Sequence, residues 1–390
     1  MRLPTVADVE KRIPHPDQFT STARGPRTTA RLGVVIGILF GVCFLTGLWS
    51  HWQYTSPGWL PIGPSPSGLY RVTQGLHVTS GTAIIPLLLV KLWSVYPRLF
   101  IRPPARPLRS AALEGLERAS ILVLMASGLF QLVSGTLNIV QWYPWDFSFR
   151  ATHEAVAYVA IGSILVHIAV KLPVIRDALS GGPADDDESL HSDGPSRRAV
   201  LVGAGSASAL AVMLTVGQTV PFLRRVSVFG VRDGDGPQGV PVNRTARAAG
   251  AVDAATDPDF ALELRHGGRA IRLTRAQLGA LPQRTHRLPI TCVEGWSRNA
   301  MWTGVAMADL LALVDADPAS VVNVRSMQTR GAFRTSELPA DFASDPRTML
   351  ALELNGETLD LDHGYPCRII APNRPGVLQT KWVKSLEVAT

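Results

Sequence analysis

Five apolar runs crowd the first 220 residues of this chain, each near the ~20 residues that carry an α-helix across a bilayer. They fall at about residues 32–50, 72–93, 119–140, 151–172 and 199–220. Buried helices of a soluble core are the alternative. Five runs of this length in one half of a 390-residue chain leave too few polar side chains to cover them. Charged residues make up 18% of the chain, and this half is the reason the mean hydropathy is positive. The expectation is an all-α transmembrane helix bundle, with four helices over residues 31–175 and a fifth tether helix over 199–221. A tail (1–30) precedes the bundle, a linker (176–198) separates it from the fifth helix, and a second domain occupies 240–390.

Lysine and arginine orient such helices by gathering on the cytoplasmic side. Arg24, Arg27 and Arg31 precede the first run; Arg98, Arg102, Arg106 and Arg109 lie between the second and third; Lys171, Arg176, Arg197 and Arg198 lie between the fourth and fifth. Residues 53–70 hold neither lysine nor arginine, and 141–150 hold one arginine. The N-terminus is therefore expected in the cytoplasm and, with five crossings, the C-terminal domain outside a cell membrane. Arg224 and Arg225 run against this rule. Trp49, Trp52, Tyr54, Trp59, Tyr70, Trp142, Tyr143 and Trp145 fit an outer aromatic belt, Trp93 and Tyr96 an inner one. The net charge of +7 is assigned to the cytoplasmic loops and a cofactor site. No basic-aromatic platform suggests nucleic acid as a partner.

Ser196-Arg197-Arg198 before a Gly/Ala-rich helix reads as an internal twin-arginine export signal, which suits a domain exported already folded around a cofactor; an ordinary positive-inside pair is the alternative. Gly203, Gly205 and their neighbours imitate part of a dinucleotide fingerprint, but no strand precedes them. Asp185, Asp186, Asp187 and Glu188 read as a solvated linker.

Imidazoles inside membrane helices are costly and are functional candidates. His77 and His153 sit at comparable shallow depths in the second and fourth runs. His167 follows His153 by fourteen residues, about four turns, so both project from one helix face roughly 21 Å apart. Such a layout suits stacked haems, or hydrogen bonds between helices. The pattern resembles the cytochrome b subunits of formate dehydrogenase and nickel–iron hydrogenase. That resemblance implies one outer haem b held by His77 and His153. It leaves His167 without a histidine partner: Arg31 stands near where that family carries one, and His15 lies in the tail. His167 could bind a second haem, a quinone head group or nothing. His51 is an alternative ligand or a propionate contact.

Beyond Phe260 the pattern changes to short strands and brief helices, an α+β domain large enough for its own core. Residues 261–264 and 270–273 flank His266-Gly267-Gly268 as a hairpin. Thr274 can cap a helix to Leu281, and 307–314 reads as an apolar-faced helix. Three cysteines build no disulfide framework. Cys43 lies in a membrane run, and Cys367 in an apolar strand where packing suffices to explain it. Cys292 follows an apolar strand and precedes a glycine turn, in Thr291-Cys292-Val293-Glu294-Gly295-Trp296-Ser297. A thiolate there is a soft metal ligand; a buried structural cysteine is the alternative.

That motif is followed by Trp302-Thr303-Gly304-Val305, by His363-Gly364-Tyr365-Pro366-Cys367-Arg368 and by Lys381-Trp382-Val383-Lys384. In this order the segments resemble the sulfite-oxidase-type molybdopterin domain, over about residues 240–390. The nearest likeness is to the periplasmic methionine-sulfoxide reductase type, with its Cys-Val-Glu-x-Trp-Ser motif. The resemblance implies a molybdenum-molybdopterin cofactor with Cys292 as catalytic metal ligand. It implies phosphate contacts from Arg368, Lys381 and the backbone of Gln379 and Thr380, and further contacts from Asn243, Arg247 and His363. Arg298, Arg325, Arg330 and Arg334 are candidate anion-recognition residues. The chain stops after the Lys-Trp strand, where sulfite oxidases carry a dimerisation domain, so a monomer is expected.

Together these readings give a membrane-bound molybdopterin-dependent oxidoreductase coupled through haem b to a quinone or quinol. Reduction of an S-oxide or N-oxide is favoured over oxidation of sulfite or a similar oxyanion. A cytochrome b electron carrier with a degenerate outer domain is the non-catalytic alternative. A helix-anchored sensor leaves the histidines and Cys292 unexplained.

Overall fold

The computed structural model describes residues 21–96, 108–180, 195–231 and 236–389. Arg98, Arg102, Arg106, His15, Asp185, Asp186, Asp187, Glu188 and Thr390 lie outside the described residues. Five helices among the described residues are long and apolar enough to cross a membrane. They are α1 (Pro26–Trp52), α2 (Leu69–Val95), α3 (Leu108–Ile139), α4 (Phe149–Leu179) and α5 (Arg197–Thr215), the last continuing into a 3-10 turn, Val216–Gln218. Most outrun the apolar stretches because flanking polar residues still favour the helix; α4 runs past Lys171 and Arg176 to Leu179. Pro26 starts α1 at the one helical position where a missing N–H costs nothing. Pro86 and Pro173 lie inside α2 and α4.

The chain divides into two compact units. One holds the residues up to Gly47 with His77–Thr215; the other holds Leu48–Leu76 with the residues from Val216 onward. In the first unit, Leu32 and Ile36 of α1, Ile84 and Leu87 of α2 and Ala204 of α5 form an apolar cluster. Polar side chains are buried in it as well: Ser80, Ser127, Gln131, Ser134 and Ser208. Large apolar side chains face outward, Leu45 66% exposed and Leu165 61%. Each costs about 1.5–3 kcal/mol in water relative to burial, so hydrocarbon is the solvent this surface suits.

The second unit is α+β. Its first sheet runs β2 (Arg269–Thr274), β1 (Ala261–His266), β10 (Val383–Val388), β5 (Val322–Ser326), β6 (Thr335–Leu338). The β1–β10 pair is parallel and the rest antiparallel. The second sheet runs β3 (Gln283–Thr291), β4 (Ser297–Ala306), β7 (Met349–Leu354), β8 (Glu357–Thr358), with β9 (Arg368–Ile370) also on β7. The β1–β2 hairpin turns at Gly267, whose φ of 53° suits glycine. Helix α8 (Arg275–Ala280) is closed by a capping box: Gln277 N–H donates to the Thr274 hydroxyl, and Thr274 N–H to the Gln277 side chain. Helix α9 spans Met307–Ala312; α6 (Ala246–Ala249), α7 (Val252–Ala255) and α10 (Ala340–Ala343) are single turns.

Strand β7 explains how one domain builds two apolar layers. Leu350 and Leu352 join the core with Leu262, Leu264, Val324 and Leu386 of the first sheet. Met349 and Ala351 face the other way, onto Trp302, Ile290, Cys292 and Trp296. A strand buried on both faces reads as a continuous apolar run, as Met349-Leu350-Ala351-Leu352 does. The second layer ends at the site.

Candidate cofactor sites

Strands β3 and β4 pair in register from Gln283 opposite Val305 to Thr291 opposite Ser297, which leaves Cys292–Trp296 as the turn. Cys292 N–H donates to the Trp296 carbonyl at 2.9 Å, and Gly295 N–H to the Cys292 carbonyl at 3.1 Å. Gly295 supplies the positive φ, 88°, that the turn requires. The turn holds Cys292 almost fully buried, at the wall of a small, partly open pocket. Pro241, Asn243, Ile290, Trp296, His363, Arg368, Gly376 and Lys381 complete the wall.

Two cations in that wall are buried, and among the described residues neither is in a salt bridge, although Asp362 and Glu294 act on Lys381 from nearby. The Arg368 guanidinium donates from Nη1 to the His363 carbonyl (2.9 Å) and from Nη2 to the Gln379 carbonyl (3.1 Å), while its buried Nε has no partner. Burial pushes it down to about 9. Lys381 Nζ donates to Asn243 Oδ1 (3.1 Å) and to the carbonyls of Arg244 (2.6 Å) and Asp362 (2.9 Å). Burial first, then the nearby Arg368 charge, brings this ammonium down to about 7. Buried charge that is only partly offset is expensive. An anion that meets both groups removes that expense, so the chemistry selects an anionic ligand.

His363 donates from Nε2 to the Pro237 carbonyl at 2.7 Å. Burial and then Arg368 lower its pKa to about 4, so the ring is neutral and Nδ1 remains an acceptor. Gly364, at φ 112°, turns the chain between the basic groups; a Cβ there would meet Lys381 Cβ at 3.0 Å and Arg368 Cβ at 3.2 Å. Gln379 and Thr380 are buried beside them, Gln379 through its Nε2 bond to the Arg374 carbonyl and Thr380 against the Ser336 hydroxyl.

The structure thus brings together Cys292, Asn243, His363, Arg368 and Lys381 around one cavity, with Gln379 bonded to Arg368. Arg247 stands apart, exposed on α6. Among the four arginine candidates Arg298 is buried at the start of β4, while Arg325, Arg330 and Arg334 are exposed. Cys367 packs in the main core, its thiol pushed up to about 12 by burial. Sequence reasoning missed Arg374, which is buried, donates to the Glu337 carbonyl and is held down to about 10 by burial. Nothing in its local sequence, Pro372-Asn373-Arg374-Pro375, distinguishes it from a surface loop arginine.

In the helical unit the rings of His77 and His153 face each other with centroids 6.3 Å apart and planes at 65°. His77 Nδ1 pairs with the Cys43 carbonyl (2.9 Å) and the Thr46 hydroxyl (3.1 Å), and His153 Nδ1 with the Ser134 hydroxyl (2.9 Å). Those bonds fix both rings and leave each Nε2 for coordination. Two ligand bonds of about 2 Å each plus the ring radii span such a separation, so an iron between the imidazoles fits. Gly47 and Gly135, which sequence reasoning missed, make room: a Cβ on either would lie 3.3 Å from His77 Cε1 or 3.6 Å from His153 Cε1. His167 lies further along α4, with Lys91, Lys171 and Glu117 as electrostatic neighbours and no imidazole among them. Glu117 and Lys171 form an ion pair. His51 ends α1, its carbonyl accepting from Tyr54 at 2.9 Å and Thr55 at 3.3 Å.

A buried thiol and two buried cations line one pocket in a two-sheet α+β domain. Comparison with known proteins identifies the class. Residues 249–390 match the family described as oxidoreductase molybdopterin binding domain. Similar proteins include mitochondrial sulfite oxidase of Drosophila melanogaster, 29% identical over 156 residues, which are 34% of this chain and 27% of that one. They include a putative protein-methionine-sulfoxide reductase subunit of Azospira oryzae, 34% identical over 30% of this chain and 43% of that one. The protein-methionine-sulfoxide reductase catalytic subunit of Gluconobacter oxydans is 30% identical over 30% of this chain and 42% of that one. The chain spans less than half the length of each. Over residues 249–390 it carries a domain that matches the molybdopterin-binding oxidoreductases and is similar to the sulfite oxidase and methionine-sulfoxide reductase proteins.

Proposed function

We propose that this protein is a membrane-bound molybdenum enzyme that transfers an oxygen atom at its C-terminal domain and exchanges the electrons with a quinone pool through haem b. The observation that carries the reading is the cavity itself, where Cys292 shares one wall with Arg368 and Lys381 and no carboxylate lines it. When bound, molybdenum on its pterin supplies two-electron oxygen-atom chemistry and haem supplies one-electron transfer. The rest is the protein's work. Cys292 offers the thiolate. Arg368 and Lys381 bind the phosphate, with the Gln379–Thr380 backbone beside them, and Asn243 and the Nδ1 of neutral His363 orient the polar edge of the cofactor. Trp296 and Ile290 keep water from the thiol. His77 and His153 hold the haem iron, their Nδ1 bonds fixing ring orientation. On this reading the domain lies outside the cytoplasm, supported by five candidate crossings and the lysine and arginine bias of the loops, and Arg197-Arg198 serves its folded export. His167, with Lys91, Lys171 and Glu117, is left for a quinone rather than a second haem.

Reduction of an S-oxide or N-oxide is the favoured direction, supported by the likeness to the two methionine-sulfoxide reductase proteins. Oxidation of sulfite is the second reading, favoured by the likeness to mitochondrial sulfite oxidase. The haem spectrum of the purified protein decides between them. Reoxidation of the quinol-reduced haem by methionine sulfoxide or an N-oxide supports the first. Reduction of the oxidised haem by sulfite supports the second. A haem band that answers to neither class overturns the coupling.

A further inference from the structure

The turn that carries Cys292 is fastened largely from outside the stretch that matches the molybdopterin family. Two of its five carbonyls, those of Cys292 and Trp296, are satisfied within the turn. Two others are met by side chains far away in sequence: the Thr219 hydroxyl donates to the Gly295 carbonyl, and Gln74 Nε2 stands 3.5 Å from the Val293 carbonyl. Buried carbonyls need such partners. Both residues are buried, Thr219 at 1% and Gln74 at 7% exposure.

Thr219 sits on a tightly built turn. Val216, Gly217 and Gln218 are buried before it, and Gly217 N–H donates to the Ser227 hydroxyl at 2.7 Å. A Cβ on Gly217 would lie 2.7 Å from Arg224 Cα, so only glycine lets the turn close. A second fastening reaches the same turn through its base. Asn373 donates from its N–H to the Ser67 carbonyl (3.1 Å) and from Nδ2 to the Gly63 carbonyl (2.8 Å), and accepts at Oδ1 from Tyr70 N–H (2.8 Å). Two residues on, Pro375 bridges to Thr291, immediately before Cys292. All these residues belong to one compact unit.

We propose that Thr219, seconded by Gln74 and the Asn373 latch, is a positioning residue for the molybdenum chemistry: it fixes the turn that presents the Cys292 thiol to the metal. The inference rests on the reading of Cys292 as the metal ligand. The metal-binding element is then completed by the segments that flank the membrane helices, residues 63–74 and 216–227.

The test uses the full chain in detergent, purified from a host that cannot make the cofactor. Peptide-resolved alkylation of Cys292 is followed in wild type, Thr219→Val, Thr219→Ser and Gln74→Leu, with the core Cys367 as reporter of global unfolding. Thr219→Val is expected to speed alkylation of Cys292 roughly tenfold, the local opening that loss of one buried hydrogen bond allows, with Cys367 unchanged. Thr219→Ser keeps the hydroxyl and restores the slow rate. In the loaded protein the paramagnetic signature of molybdenum shifts in the valine variant and not in the serine one. A wild-type alkylation rate and an unshifted signature in Thr219→Val overturn the proposal. If that variant also opens Cys367, Gln74→Leu decides: faster alkylation of Cys292 alone supports the proposal, and an unchanged rate overturns it. A paramagnetic molybdenum signature identical in wild type and Cys292→Ala would defeat the ligand reading instead, whatever Thr219 does.

Discussion

The two units hold their candidate cofactor residues by opposite means. In the helical unit each imidazole comes from the first three turns of a long regular element, α2 or α4, and its Nδ1 is bonded by a hydroxyl or carbonyl on a neighbouring helix. In the α+β unit the thiol comes from a turn, Arg368 from the start of the short strand β9 and Lys381 from the bend before β10, and all three are held by backbone carbonyls, glycine turns and burial. Helix geometry is rigid and periodic, so a site built on it needs few supporting residues. A site built on turns needs its support spread through the chain, and a change far from the cavity reaches it. The helical site therefore stands or falls with its ligands, whereas the turn-built site is sensitive to the residues beneath it.

The largest effect tests whether the two sites are separate. His77→Ala or His153→Ala is expected to cut haem content at least about tenfold, the scale on which even outer-shell partners of a bound metal matter, while molybdenum content is unchanged. Loss of both cofactors together would break the comparison. A backbone change sharpens it on the other side. Gly364→Ala forces a side chain into a positive φ and against Lys381 and Arg368, at a cost of about 1–3 kcal/mol, read as a lower melting temperature and poorer molybdenum retention with haem intact.

Titration gives a smaller and signed effect. Without an anionic ligand, Lys381 titrates at about 7 in the folded protein against 10.5 when exposed. Between those values the unfolded chain binds the extra proton, so stability rises with pH across the window. Arg368, at about 9 against 12.5, adds the same sign higher up. His363, at about 4 against 6.5, adds it below neutrality, where stability falls as pH drops through 6.5. The cofactor-free domain should melt higher at pH 9 than at pH 7, and a bound anionic cofactor, which keeps Lys381 charged, should flatten or reverse that slope. A slope that falls with pH without cofactor would remove the electrostatic argument. The smallest effect belongs to Arg247: exposed on its single-turn helix, its replacement by alanine should change stability by no more than about 0.5 kcal/mol and leave molybdenum content alone.

These contrasts also decide what the sequence could disclose. Runs of apolar residues are enough to locate five helices, and the spacing of His77, His153 and His167 is readable because a helix turns at a known rate. The hairpin at Gly267 and the capping box at Thr274 follow from local chemistry and stand where their residues place them. Cys292, Arg368 and Lys381 are another matter. Their convergence depends on strand order, with β10 inserted between β1 and β5 and β9 laid on β7, and no periodicity encodes that; only the resemblance of separated motifs did. Arg247 is exposed on its single-turn helix, while Arg244, three residues earlier, is the residue whose carbonyl meets Lys381. Thr46, Ser134 and Thr219 were invisible because a hydroxyl that supports another residue carries no signature of its own. The grouping of Leu48–Leu76 with the C-terminal domain was hidden for a similar reason: it rests on single hydrogen bonds such as those of Asn373.

The measurement that bears most directly on the central claim is the molybdenum and haem content of the detergent-purified, exported protein, wild type beside Cys292→Ala. The account predicts close to one molybdenum per wild-type chain, a molybdenum signature altered in Cys292→Ala by loss of the thiolate, and the same reducible b-type band in both. A wild-type protein with haem and no molybdenum would contradict it and leave an electron carrier with an inactive outer domain.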